Sequence, residues 1–284
     1  MKRVAFLLAL GACAACGETK PETLASGRME LPKVLREVSG IAMFDATTVA
    51  CVQDEHGSIY LVDTLGQREM RTLHFGPHGD YEGLARAGDD WFVLRSDGLV
   101  LRLAANGDKW KIAAELRLPG GYREWESLCS DPERHRLLVM PKHGHPDDQE
   151  GHDRRPIFAI DLATFTSDPQ PVLVLSKRAL LKRAEERGIE LRTRTSDKGK
   201  EHEVLQLACS EIAVVPGRRE LLLLSAIDDV LLRIGENGDL LGGVRLDAKA
   251  LPQPEGMAFL PDGRLLIASE GRGGAARFAI VPMP

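Results

Sequence analysis

The chain has 284 residues, 43% hydrophobic and 28% charged, with a formal net charge of −5. That is enough for one large core or two small ones, and nothing reads as a second domain. Acidic and basic residues are interspersed, so no basic field of the kind that binds nucleic acid is present.

The first residues read as a targeting segment. Lys2 and Arg3 precede an apolar run, Val4 to Leu10, that is too short to span a bilayer as a helix. Small residues and cysteines follow, Leu10-Gly11-Ala12-Cys13-Ala14-Ala15-Cys16, and resemble a bacterial lipobox with a lipidated cysteine. Cys16 gives the more usual signal length; Cys13 is the alternative, and an ordinary cleaved secretory signal competes with both. The glycine after Cys16 suggests the outer membrane of a Gram-negative cell, facing the periplasm. The expected organisation is a signal over 1–16, a polar tether over 17–28 and one domain over 29–284. Cys51, Cys129 and Cys209 are expected inside strands as buried small residues; the odd count would leave one thiol unpaired if a disulfide formed.

Beyond the tether, short runs rich in Val, Ile and Leu alternate with turns such as Asp97-Gly98, Asn237-Gly238 and Pro261-Asp262-Gly263. One phrase returns five times. Glu37-Val38-Ser39-Gly40-Ile41-Ala42 reappears as Asp80-Tyr81-Glu82-Gly83-Leu84-Ala85 and as Glu124-Trp125-Glu126-Ser127-Leu128-Cys129. It returns again as Ala208-Cys209-Ser210-Glu211-Ile212-Ala213 and Gln253-Pro254-Glu255-Gly256-Met257-Ala258. The spacings are roughly 43, 44, 84 and 45 residues, the blade period of a β-propeller. The expected fold is therefore all-β, a five-bladed propeller. The first blade is predicted as Ser39–Phe44, Thr48–Gln53, Ser58–Asp63 and Met70–Phe75. The double-length gap between the third and fourth copies leaves six blades as an alternative. A predicted helix over Lys177–Arg187, stopped by Gly188, favours an insertion there, running to about Leu207. The last repeat is short by one strand, and Met29–Arg36 is expected to supply it and close the ring.

Several pieces, in order, resemble the SdiA-regulated family of bacterial propellers. They are Gln53-Asp54-Glu55-His56-Gly57, Gly79-Asp80-Tyr81-Glu82-Gly83-Leu84, Leu94-Arg95-Ser96-Asp97-Gly98, Leu251-Pro252-Gln253-Pro254-Glu255-Gly256 and Ser269-Glu270-Gly271-Arg272-Gly273-Gly274, after the first copy of the phrase. The resemblance implies a five-bladed propeller, distantly similar to NHL-repeat proteins, with a calcium site and no established activity. The fourth copy departs from it, with Ala208 and Ser210 where other copies carry acids.

The recurring acids carry the chemistry. Glu82, Glu126 and Glu255 share one repeat position, with Ser39 and Ser210 in the other two blades. By period-two alternation, Glu37, Asp80 and Glu124 are expected on the same strand face. Several carboxylates around one axis repel unless a cation or protons neutralise them, and calcium takes six to eight oxygen ligands. Glu82, Glu126, Glu255 and Glu37 are thus the candidate Ca2+ ligands; the competing reading is loop capping and pairing with Arg or Lys. Asp54, Asp97, Asp228 and Glu270 read as turn residues at the ends of second strands. Arg95 and Lys142 could face the mouth as anion contacts. The His-rich loop from His143 to Asp153 lacks HExxH or CxxC spacing and reads as solvated. No GxSxG, P-loop or dinucleotide fingerprint occurs. Two functions fit: a non-enzymatic module binding a small molecule or envelope protein, or a metal-dependent hydrolase of lactones or phosphoesters.

Overall fold

Each copy of the phrase begins a sheet, because an apolar run, a tight turn and a second apolar run can pair only as neighbours. The computed structural model describes residues 24, 27–106, 109–195 and 201–284. The proposed signal, with Cys13 and Cys16, lies outside the described residues, as does most of the tether. Blade one is β2 (Val38–Met43), β3 (Thr48–Gln53), β4 (Ser58–Asp63) and β5 (Arg71–His74), within a residue or so of expectation. Blade two is β6 (Tyr81–Ala87), β7 (Asp90–Arg95), β8 (Leu99–Asn106) and β9 (Lys109–Arg117). Blade three is β10 (Trp125–Asp131), β11 (Arg136–Pro141) and β12 (Arg154–Asp161). Its outer place is shared by β13 (Thr166–Ser167) and β14 (Leu173–Ser176), which pair with opposite ends of β12. Blade four is β17 (Glu211–Val214), β18 (Glu220–Ser225), β19 (Val230–Gly235) and β20 (Leu240–Arg245).

Blade five holds β21 (Pro254–Phe259), β22 (Leu265–Ser269) and β23 (Arg277–Val281). Its fourth strand comes from the other end of the described chain: β1 (Arg28–Glu30) pairs antiparallel with β23, Arg28 opposite Ala279 and Glu30 opposite Arg277. The closing strand is shorter than the expected Met29–Arg36, because Lys33–Leu35 forms a 3-10 turn. Met29, Leu31 and Leu35 seat the segment in the core shared with Phe278 and Leu266.

The gap between blades three and four is not a sixth blade. It contains α1 (Lys177–Arg187) and a two-stranded hairpin, β15 (Arg192–Thr195) with β16 (Glu201–Val204). Ser176 Oγ caps α1 by accepting from the Ala179 N–H at 3.2 Å, and Gly188 ends it at φ 65°, a left-handed value that glycine adopts without strain. Leu180 and Ala184 anchor the helix beside Leu191, Leu205 and Leu207.

The five inner strands, β2, β6, β10, β17 and β21, contact one another in a closed ring. All start at one end of the channel, called the mouth here, and end at the other, the base. The fourth residue of the phrase sets how closely they approach. A Cβ at Gly40 would lie 2.7 Å from Leu84 N, and one at Gly83 2.9 Å from Leu128 Cβ. The seam between blades three and four is different: Ser127 and Glu211 stand in the glycine position, and their side chains occupy it.

Candidate functional site at the channel mouth

The phased residues reach the mouth through β-bulges. In β2 the pairing steps from Val38 to Gly40, in β6 from Tyr81 to Gly83, in β10 from Trp125 to Ser127 and in β21 from Pro254 to Gly256. The extra residue is Ser39, Glu82, Glu126 or Glu255. A bulge leaves one residue outside the ladder and re-aims its side chain, so these residues escape the packing between blades. The bulge also breaks the period-two alternation. Glu37, Asp80 and Glu124 precede the strands as exposed rim residues, yet Asp80 still hydrogen-bonds the Glu82 carboxyl and Glu124 shares Lys142 with Glu126.

Glu82, Glu126 and Glu255 lie within one another's electrostatic reach. Burial, then the charges of Glu126, Asp80 and Glu255, push the Glu82 carboxyl up to about 9. Burial and Glu126 push Glu255 up to about 7, against hydrogen bonds from Ser210 and Gln253. Glu126 is 6% exposed and also raised, since burial outweighs its ion pair. Its partner is Lys142, whose Nζ stands 2.8 Å from Glu126 Oε1 and 3.6 Å from Glu124 Oε2. Burial works against the Lys142 ammonium, yet Glu126, Glu124 and Glu255 together hold it above the usual lysine range. Lys142 thus faces acids rather than an anion, and the ion-pair reading of Glu126 is met here.

The acidic field extends to residues first read as turn formers. Burial and the charges of Glu255, Asp54 and Glu37 push Glu270 up to about 8. Burial and Glu37, Glu55 and Asp80 push Asp54 up to about 6, and its Oδ1 is buried with no hydrogen-bond partner. Glu37 therefore sits at the Asp54 and Glu270 side of the mouth, while Glu82, Glu126 and Glu255 form its other part. The other two second-strand acids are structural. Asp228 accepts from Gln206 N, Leu207 N and Ser225 Oγ at 2.6–2.9 Å. Asp97 pairs with Arg95 and Arg117, each at 3.0 Å, which also removes Arg95 as a free anion contact.

Sequence reasoning missed Glu211. The fourth copy lacks an acid at the phased position but carries one a residue later. Glu211 is 1% exposed, and its Oε1 accepts from Ile212 N at 2.9 Å and Leu128 N at 3.2 Å, across the seam between blades three and four. Burial pushes its carboxyl well above the usual range. A glutamate replacing the glycine of a repeated phrase was the signal available for it. Beside it, Ser127 Oγ lies 3.2 Å from Cys209 Sγ. Cys51, Cys129 and Cys209 are free thiols, and Cys209 falls just ahead of β17 rather than within a strand.

The donors at the mouth are hard oxygens carrying excess negative charge, the chemistry that suits calcium. Among the described residues, however, no group of three or more His, Cys, Asp or Glu side chains is gathered closely enough to form a ligand set by itself. The His-rich loop likewise provides none; His145 instead accepts from Asp147 N and packs edge-on against Tyr122. Among the described residues no helix is long and apolar enough to cross a membrane.

No protein-family model and no curated protein matches the chain. Similarity appears at the level of solved structures. The chain is similar to the glutaminyl cyclase of Myxococcus xanthus, with a TM-score of 0.54 and 15% identity over 90% of this chain and 95% of that one. A chain of the mitotic checkpoint complex aligns at a TM-score of 0.50 and 11% identity, covering 100% of this chain and 99% of that one. At such identities the likeness concerns the fold. That fold is a five-bladed β-propeller.

Proposed function

We propose that this protein is a cation-binding propeller of the SdiA-regulated type, lipid-anchored at Cys16 in the cell envelope, whose mouth binds a calcium ion and through it a small ligand or envelope protein. The observation that carries the reading is the charge imbalance at the mouth. Three bulge glutamates from separate blades, with Asp54 and Glu270 nearby, raise one another's proton affinity, and Lys142 balances part of that charge. Glu82, Glu126 and Glu255 would hold the ion, with water completing the six to eight oxygens calcium takes. The lipid anchor and calcium rest on the sequence motifs and on this charge pattern together.

Calcium titration by calorimetry, with elemental analysis of the purified protein, tests the proposal. One site per chain is expected, weakened in Glu82→Gln and Glu255→Gln and unaffected by His145→Ala. No bound metal and no calcium heat would sink it.

One observation favours a hydrolase as the second reading. Glu82, buried and hydrogen-bonded to Asp80, keeps its proton near neutral pH, as a general acid must. Turnover of lactones or phosphoesters, lost in Glu82→Gln, would establish it; a glutaminyl cyclase assay belongs in the same panel, given the structural neighbour.

A further inference from the structure

The channel's other end holds a cavity of about 550 Å³ that the mouth chemistry does not use. Its walls are the last residues of the five inner strands. Fifth-position residues of the phrase, Ile41, Leu84, Leu128, Ile212 and Met257, form one apolar tier. Sixth-position residues, Ala42, Ala85, Cys129, Ala213 and Ala258, form the next, and their small size keeps the centre open. Met43, Val214 and Phe259 continue the wall toward the base turns at Gly88, Pro132 and Gly217. The one guanidinium in the wall is tied down: Arg86 Nε donates to Gly88 O at 2.8 Å, and its NH1 group donates to Phe44 O. A pocket of this size and lining suits an apolar ligand.

The position of the chain's beginning suggests the source of that ligand. Leu24 N donates to Thr64 O at 2.9 Å, and Ile280 N to Gly27 O at 2.9 Å, both at the base. Two of the exposed large apolar side chains, Leu65 and Met283, follow strands that end at the same face. Seven residues separate Cys16 from Leu24, eight steps of chain and a reach of at most about 29 Å at ~3.3–3.6 Å per residue. A lipid on Cys16 would therefore hold the base, and the cavity's opening, against the bilayer.

We propose that the base cavity binds one acyl chain of a bilayer lipid, while the acidic mouth faces away from the membrane. The cavity part stands on its lining; the bilayer as source rests on the anchor reading.

The test uses the full chain as the Cys13→Ser/Cys16→Ser double variant, prepared without detergent, with cis-parinaric acid as the probe. Saturable fluorescence enhancement with one site per chain is expected. Bound probe should slow N-ethylmaleimide alkylation of Cys129 about tenfold, read over hours at mildly alkaline pH because burial pushes this thiol well above the usual range; Cys129 lines the cavity while Cys51 and Cys209 are buried. Alkylating Cys129 in the folded protein should in turn weaken the probe about tenfold, a filling experiment that does not depend on a mutant folding. Ala213→Leu should act likewise. Absence of saturable binding, or binding indifferent to both fillings, overturns the site. Binding lost instead in Glu255→Gln places the probe at the mouth and also overturns it. For the source, Cys129 of the wild type in phosphatidylethanolamine/phosphatidylglycerol liposomes should resist alkylation without added probe. Reactivity equal to that of the soluble double variant rejects the bilayer lipid. Whether the double variant leaves the membrane reports on the anchor separately.

Discussion

The two ends of the channel are made by the same five strands and the same six-residue phrase, yet one is acidic and the other apolar. At the mouth the third residue of the phrase sits on a bulge, outside the ladder, so a glutamate there disturbs no packing between blades. Two and three residues later the ladder has resumed and neighbouring blades enclose the side chains, so Leu84 is 2% exposed and Leu128 1%. A one-residue irregularity thus separates a polar surface from a core. Between the two ends lies the glycine tier, replaced by Ser127 and Glu211 at one seam.

The most damaging way to break this contrast is to open the wall between the ends. Leu128→Ala, which removes a side chain only 1% exposed, should cost about 2–5 kcal/mol in denaturant unfolding. Calcium should act on the mouth alone: a hundredfold excess over Kd stabilises by about 2.7 kcal/mol. Chelation should therefore lower the melting temperature of the wild type, with a blunted response in Glu126→Gln; an unchanged melting curve would count against the metal. Glu211→Ala, which leaves the Leu128 N–H without its partner, should cost about 1–3 kcal/mol. Glu211→Gln keeps an acceptor and should cost less than Glu211→Ala; because burial raises this carboxyl well above its unfolded value, the substitution should also remove its share of the stability lost as pH rises above the ordinary carboxyl range.

The mouth also has a pH signature that the base lacks. Glu82, Glu270, Glu255 and Asp54 bind protons more tightly folded than unfolded, with values of about 9, 8, 7 and 6. Their contribution to stability is fully present below the ordinary carboxyl range and is lost as pH rises through those values. The metal-free protein should therefore lose stability from about pH 5 toward pH 9, and calcium should flatten the loss by replacing the protons. Glu82→Gln should flatten it without metal, a gain at pH 9 of a few degrees at roughly 2–4 °C per kcal/mol. A metal-free melting temperature that rises over this range would contradict the charge cluster.

Much of the architecture was legible in the residues. Turn dipeptides between runs of β-branched and apolar residues marked the strands of blade one almost to the residue. Gly188 marked the end of α1, and the missing last strand pointed to closure by the segment from Met29. These features are local, or repeat at a fixed period, and hydrophobic pattern and turn chemistry determine them. That three glutamates share one phase was also written in the sequence. What their neighbours would do was not. The bulges placed Glu37 and Asp80 on the rim, Lys142 came to Glu126 from the adjacent strand, and Glu211 entered a seam where the repeat called for glycine. Each depends on which groups from distant parts of the chain meet at the axis, and on how far burial raises the free energy of a charge there. The repeat determined how many blades form and which residues lead them. Only the closed ring decided which side chains face water at the mouth, which line the base cavity, and which carboxyls keep their protons.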